Sequence, residues 1–422
     1  MRFSFFIIGL LYTMRAAAQS TPPAPSAATT HPASPAPLTA PVFQVDFKDP
    51  TADKPQSKLW YQGNNWWALL PRSSGPSLWQ RTATGWIEHP EVNKTLQKIP
   101  GRADVWAEKD AVTAVGVSPD SLVVFRLQGG HAGAPGREPS THNADAQQWK
   151  TRVLATLKPP VKEDIETATI AKDSKGEWWV AADGSTSIYV WHSTDGLTWS
   201  KAVLLKTGVS KDDICTITAI KDAVMVIWSN QKDEAVQCRE HRDGHAENDW
   251  GRETNVEIGH KTADDHLHTA RTPDGTVWLV TKNSADSNFY PQLVLRVRHP
   301  LDGSWSNFPY APRTPQAEPS RPTIIAAPGG ALLEAHTIYD KTDRYKGRIV
   351  FARIDTTANG ILTHQQILIQ PDQQLHAIVN NCTMSKAPFP AGAPWIVLAS
   401  DGQGRVYEAD LKLLTTDRLT KK

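Results

Sequence analysis

Short apolar runs, each preceded by a turn residue, recur along the chain: Trp66–Leu70, Ala111–Val115, Trp178–Ala181, Val224–Trp228, Val277–Val280, Ala331–Leu333 and Trp395–Leu398. Each is followed by a loop and then by an alternating apolar–polar stretch. These second stretches are Ser77–Gln80, Leu122–Arg126, Ile188–Trp191, Ala235–Cys238, Leu293–Val297, Ile349–Ala352 and Val406–Ala409. A third signal is a turn closing on tryptophan at Trp86, Trp149, Trp199, Trp250 and Trp305, spaced 50 to 63 residues apart. Before each apolar run lies one more candidate strand, such as Ala103–Trp106 or Thr167–Ile170. Helical periodicity is absent over any long window. A repeat of about 50 residues made of four short strands and turns predicts the blades of a propeller. The expected fold is all-β, a seven-bladed β-propeller of four-stranded antiparallel blades, with six blades as the alternative count. One tryptophan per blade is expected to pack between neighbouring sheets.

The propeller is expected to occupy residues 42–415 as one domain, its last blade running from Cys382 to Leu411. Phe43–Phe47 is the predicted closing strand, which would remove the open sheet edge; a tail strand over 414–419 is the competing closure. Ahead of it, Met1-Arg2, an apolar run to Met14 and Ala16-Ala17-Ala18 read as a signal peptide over residues 1–18. Residues 19–41 read as a disordered tether: positions 21–41 hold seven prolines among Ala, Ser and Thr, with no charged residue of either sign. Residues 416–422 form a basic tail. The expected location is secreted or periplasmic, with no membrane-spanning segment in the mature chain.

Composition removes several function classes. Lys and Arg number 45 and Asp and Glu 44, so no bulk field attracts nucleic acid or an anionic membrane. Three cysteines, Cys215, Cys238 and Cys382, cannot all pair. Cys215 and Cys238 fall on strands two apart, too distant for a disulfide. The pattern is also wrong for a zinc cluster, and no cofactor is expected.

His192-Ser193-Thr194-Asp195-Gly196-Leu197-Thr198-Trp199 resembles the Asp box, or BNR repeat, of the sialidase superfamily. Leu301-Asp302-Gly303-Ser304-Trp305 looks like a degraded second copy, and Ala144–Trp149 a weaker third. The resemblance implies that Ser193, Asp195, Gly196, Thr198 and Trp199 are structural and lie away from the active face. Their turns join the third and fourth strands, so the opposite face carries any site. There the loops present a polar ring: Arg102 and Asp104, Glu163, Asp164 and Glu166, Asp212 and Asp213, then His260, Asp264, Asp265, His266 and His268, then Arg321, His376 and Asn381. The longest loops, in blades five and six, add Lys282, Asn283, Tyr290, His336, Tyr339, Arg344 and Tyr345.

Asp264-Asp265-His266-Leu267-His268 is the sharpest cluster, because a histidine beside a carboxylate is a general base suited to neutral pH. The same set would bind a metal only with a third ligand such as His260 or His336, and none is assigned. Sialidases use an arginine triad, a Tyr–Glu pair and an Asp acid on six blades; only Arg102 and Arg321 stand where triad members would. Asp264-Asp265-His266 before the Thr272-Pro273-Asp274-Gly275 turn also resembles seven-bladed BNR-type polysaccharide lyases. That likeness implies a base, His266 or His268, a tyrosine, Tyr339 or Tyr345, and Arg321 as the cation for a carboxylate; the loop face adds Asp265 to the catalytic candidates and Lys282 and His336, with Arg102 from the triad position, to the substrate-binding ones. The expected activity is recognition of extracellular carbohydrate, with glycosidase or lyase cleavage. The alternative is a non-catalytic scaffold binding protein or glycan.

Overall fold

Alternating side chains drive one face of each strand against the next sheet, and seven such sheets close on themselves. The computed structural model describes residues 38–52, 54–129, 149–343, 347–355 and 360–411. Among these residues the strands form seven four-stranded antiparallel sheets arranged as a β-propeller. The innermost strands, in blade order, are Leu59–Gln62, Arg102–Ala107, Ala168–Lys172, Cys215–Ile220, Leu267–Arg271, Ala317–Ala326 and Asn380–Thr383. The signal-peptide segment, nearly all of the expected tether, the Ala144–Gln148 stretch, Arg344, Tyr345 and the basic tail lie outside the described residues.

The ring closes through Phe43–Gln44, the outermost strand of blade seven, which pairs antiparallel with Arg405–Asp410 in the register Phe43↔Val406 and Gln44↔Arg405. The strand is shorter than the predicted Phe43–Phe47. The Val45 N–H donates to Gly404 O at 2.9 Å. Gly404 has φ +78°, and a Cβ there would run into Val45 O, so only glycine admits the closing segment. The Phe43 ring then stacks on Trp79 of blade one, centroids 4.2 Å apart. Thr39, within the stretch expected to be a tether, donates its N–H to Gln370 O at 2.7 Å.

The tryptophans pack between sheets. Trp60 and Trp67 of blade one meet Trp149 of blade two edge-on at 6.2 and 5.1 Å, and Trp179 meets Trp250 across blades three and four at 5.8 Å. One helix, α1 (Pro90–Leu96), was not foreseen from periodicity. It is too short to show a repeating apolar stripe, yet it buries Val92 and Leu96 in the same cluster as Trp60 and Trp67. The Ser193–Trp199 turn is tied by its own side chains. Asp195 Oδ1 accepts from the N–H groups of Leu197 and Thr198, both at 2.7 Å, and Ser193 Oγ accepts from Gly196 N–H at 2.8 Å. The three cysteine thiols are free, with Cys215 and Cys238 on the first and third strands of blade four.

Inner strands leave one edge unpaired toward the channel, and side chains from adjacent blades satisfy it. Asp104, fully buried, accepts from Ser57 N–H of blade one at 2.9 Å and Ile170 N–H of blade three at 2.8 Å. Its Oδ2 also holds the Lys386 ammonium from blade seven. Thr169 Oγ1 accepts from Ile217 N–H at 3.0 Å and Asp183 from Cys215 N–H at 3.3 Å, joining blades three and four. Asp104 therefore belongs to the frame of the ring rather than to its polar rim.

Candidate functional site

The connection from the closing strand to blade one leaves an outermost strand for an innermost one, so topology puts it on the loop face. It lies over the channel mouth. The Thr51 N–H and hydroxyl bond Ser400 Oγ at 3.1 and 2.6 Å, and Gln56 Nε2 donates to Ala168 O of blade three at 3.1 Å. Between them Lys54 crosses to blade five and pairs with Asp265 Oδ2.

Asp265 is one of two carboxylates on the same imidazole. His266 sits just before the inner strand of blade five, with its side chain 5% exposed. Its Nδ1 lies 2.6 Å from Asp264 Oδ1 and also contacts Asp265 Oδ1. The second oxygen of Asp264 holds Lys282 Nζ at 2.8 Å. Burial, reinforced by the Lys54 ammonium, pushes the His266 imidazole below its usual range, so it is neutral near pH 7. With its proton on Nδ1 facing the carboxylates, Nε2 carries the lone pair, and Nε2 is buried without a hydrogen-bond partner among the described residues. Burial opposes ionisation of Asp265, but the His266 hydrogen bond and the Lys54 charge hold it well below the usual carboxylate range. Burial pushes Lys54 down as well, with Arg321 adding to the effect and Asp265 opposing it.

Arg321 stands at a bulge in the inner strand of blade six, between Ser320 and Thr323, in a left-handed conformation with φ +53°. Pro322 follows and cannot donate to the ladder, so the strand breaks register and the guanidinium turns to the mouth. It bonds the Tyr339 hydroxyl through Nη1, and its Cζ lies 5.3 Å from the Tyr339 ring centroid. Burial pushes the Tyr339 phenol up, the Arg321 charge working the other way.

Thr51, Lys54, Gln56, His268, Arg321, Thr323 and Asn381 enclose a mouth cavity of about 20 Å³. Below it a channel cavity of about 510 Å³ runs between the inner strands, lined by Trp106, Thr218, Arg271 and Lys386 among others.

Of the expected site residues Arg321 lines the mouth cavity; Tyr339 joins it through Arg321 and Asp265 through Lys54, while His266 and Lys282 stand behind the two carboxylates. His268 also lines the mouth cavity, but its Nδ1 lies 3.4 Å from Ile324 N and accepts that N–H as one of the interblade ties. Burial and the Lys386 charge push its pKa down to about 4, which keeps that acceptor unprotonated. His336 does not reach the mouth. It is fully buried on the second strand of blade six, with Nδ1 3.0 Å from Glu334, whose Oε1 also accepts from the Tyr310 hydroxyl at 3.0 Å. Arg102 starts the inner strand of blade two. Its charge is felt by Glu166, which burial pushes above the usual carboxylate range despite Lys54 and Arg102. Tyr345 lies outside the described residues. Sequence reasoning missed Lys54. The available signal was the closure itself, since a closing strand at Phe43 commits the following turn-rich segment to the loop face.

Asp264, Asp265 and His266 offer ligand atoms within 4.8 Å of one another. The outer carboxylate oxygens already carry the ammonium groups of Lys54 and Lys282. A divalent cation would face both across a few ångströms, so the charge balance suits a proton better than a metal.

No family model matches the chain, and no curated protein matches it in sequence. Among solved structures it is similar to an ulvan lyase, described as a new family of polysaccharide lyase, bound to -[GlcA(1-4)Rha3S]-. The TM-score is 0.50 at 10% identity, over 87% of this chain and 95% of that one. It also aligns with an α-L-arabinanase of Penicillium chrysogenum complexed with arabinobiose (TM-score 0.43, 11% identity, 73% of this chain and 99% of that one). The NanB sialidase of Streptococcus pneumoniae aligns at TM-score 0.36 and 13% identity, over 71% of this chain and 49% of that one. What this chain has in common with the ulvan lyase, at such low identity, is the propeller fold.

Proposed function

We propose that this protein binds an acidic extracellular carbohydrate at the channel mouth around blades five and six and cleaves it by β-elimination. The observation that carries the reading is His266, oriented by two carboxylates through Nδ1, with Nε2 unpartnered among the described residues. Such a base takes the proton from the carbon α to a uronate carboxylate. The C–H electrons form the new double bond as the glycosidic C–O bond breaks, and the departing oxygen takes a proton, for which the Tyr339 hydroxyl is the donor. Arg321 stabilises the charge that grows on the carboxylate. Hydrolysis fits less well, because a glycosidase needs two carboxyl groups about 5–9.5 Å apart flanking the bond. Here Asp264 and Asp265 both serve the same imidazole nitrogen. Likeness in fold to an ulvan lyase is consistent with this chemistry but does not carry it.

An exported location, secreted or periplasmic, suits such a substrate. The basic start, apolar run and Ala-x-Ala end of residues 1–18 support it, and N-terminal sequencing of protein recovered from outside the cytoplasm tests it.

The decisive experiment incubates the protein with uronate-containing polysaccharides and reads new reducing ends together with ultraviolet absorbance of an unsaturated product. Both should appear, and His266→Ala and Arg321→Ala should each remove most of the signal. Reducing ends without absorbance would refute the lyase reading. One observation favours the scaffold alternative: the mouth leaves only about 20 Å³. Saturable glycan binding without product would establish it.

A further inference from the structure

The chain as a whole is nearly neutral, with 45 Lys and Arg against 44 Asp and Glu, yet one flank of the ring is not. Residues 149–162 carry four Lys and Arg and residues 199–211 three Lys, with no Asp or Glu in either stretch. The two stretches hold the outermost strands of blades two and three, Trp149–Leu157 and Val203–Thr207, and the segments adjoining them. Of these basic residues only Lys206 is ion-paired among the described residues, with Glu253 of blade four at 2.9 Å. Unpaired like charges on neighbouring strands repel one another, so their clustering does not serve the fold.

An open groove of about 490 Å³ lies between these two blades, a size within the ~300–1,000 Å³ usual for ligand sites. Leu157 and Trp191 line it from below, both buried, while Trp199 is half-buried. The turn-closing tryptophans Trp86, Trp149 and Trp250 are buried, so packing between sheets does not require Trp199 to keep a face open. Its indole N–H donates to Gly196 O at 3.1 Å, which fixes the ring. Lys158 from blade two and Lys201 from blade three line the same groove, both exposed, and no acidic residue joins them among the described residues.

A fixed aromatic face beside charges of one sign takes a flat ligand of the opposite sign. Single-stranded nucleic acid is gripped by successive aromatic rings, whereas Trp191 is 1% exposed and leaves Trp199 as the one accessible indole in the groove. An anionic lipid surface is broad and does not enter a groove. A polysaccharide chain fits, with the apolar face of one sugar on Trp199 and carboxylates or sulfates on Lys158 and Lys201. We propose that the groove between blades two and three is a second, non-catalytic binding site for an anionic polysaccharide. It holds the polymer on the flank of the ring, apart from the mouth around blades five and six. The inference rests on the carbohydrate reading for the class of polymer, and not on the elimination chemistry.

Affinity electrophoresis of the full chain through gels containing alginate, dextran sulfate, dextran or single-stranded DNA tests it. Every variant is also run with Arg321→Ala, so that the mouth does not contribute. The two acidic polysaccharides should retard the protein, dextran should not, and the retardation should weaken as salt rises. The more effective of the two names the acidic group. Lys158→Glu/Lys201→Glu should raise the apparent Kd by about tenfold or more, and Lys158→Arg/Lys201→Arg should preserve binding. All four substitutions fall on exposed side chains, and thermal melts check that the fold is kept. No retardation by either acidic polysaccharide, equal retardation by dextran, stronger retardation by the DNA, or an undiminished effect in the Glu pair would overturn the proposal. Loss of retardation in Arg321→Ala alone would do the same, by assigning the binding to the mouth. Retardation that depends on Lys158 and Lys201, in a protein that yields no unsaturated product, leaves the groove standing and sinks the lyase reading. Cleavage by a protein whose retardation survives in the Glu pair sinks the groove and leaves the lyase.

Discussion

Replacing Asp104 by alanine should damage the ring more than any change at its rim. The side chain is fully buried and both oxygens are occupied, by Ser57 N–H, by Ile170 N–H and by the Lys386 ammonium. Removing one partner of a buried ion pair costs about 3–5 kcal/mol. An upper limit comes from letting the orphaned lysine discharge, which at pH 7 costs about 4.6 kcal/mol from an ordinary lysine pKa. The Lys386 side chain keeps 18% exposure toward the channel, which favours the lower end, about 3 kcal/mol. Two stranded N–H groups add about 1 kcal/mol each, for a total near 5 kcal/mol. In Asp104→Ala/Lys386→Met the orphaned charge is gone and only about 2 kcal/mol of loss should remain. Urea unfolding followed by tryptophan fluorescence, with calorimetry as a check on cooperativity, measures all three proteins. The sign with pH is also fixed. Lys386 in the single variant is held below its unfolded pKa, so the penalty should shrink as pH rises from 7 toward 10. A double variant no more stable than the single one, or a single variant within about 1 kcal/mol of wild type, would refute the reasoning.

Three further outcomes follow from the same geometry. Phe43→Ala removes a ring stacked on Trp79 at 4.2 Å and tilted against Trp86 at 5.6 Å; it should cost about 2–3 kcal/mol by denaturant titration, and an unchanged midpoint would show that the strand does not close the ring. Gly196→Ala puts a Cβ 2.9 Å from Trp178 Nε1 at φ +73° and should lose about 1–2 kcal/mol while leaving any glycan binding at the mouth intact, as melts and binding isotherms would show. Burial pushes Asp183 up to about 7, above its unfolded value, so its contribution to stability is full below about pH 4 and fades as pH rises through 7; Asp183→Asn should flatten that part of the melting-temperature profile, and an unaltered slope would contradict it.

Part of the site was legible in the chain. The pair His266 and Asp265 is local, two groups one residue apart at the start of a strand, and Lys282 and Arg321 follow from the loop face once the blades are counted. His336 read as a loop-face ligand because it follows an apolar run, but strand Leu332–Asp340 extends well past it and carries it into the interior beside Glu334. His268 has the right chemistry for a base, yet its strand neighbour Ile324 needs an acceptor, and that need belongs to the next blade.

Sequence by itself determined the propeller and favoured seven blades closed by a strand at Phe43 over six blades or a tail strand, a choice the structure then made. Each of these rests on alternation, turn residues and tryptophan spacing, which record burial within a blade of about 50 residues. Only the tertiary structure decided what fills the centre. Lys54 meets Asp265 across 211 positions of chain and Lys386 meets Asp104 across 282. No local pattern marks such pairs, because ring closure turns residues from distant blades into neighbours around one axis. Whether a polar side chain there becomes a frame tie, as Asp104 does, or a group of the mouth, as Asp265 does, depends on which unpaired backbone edge or charge stands opposite it.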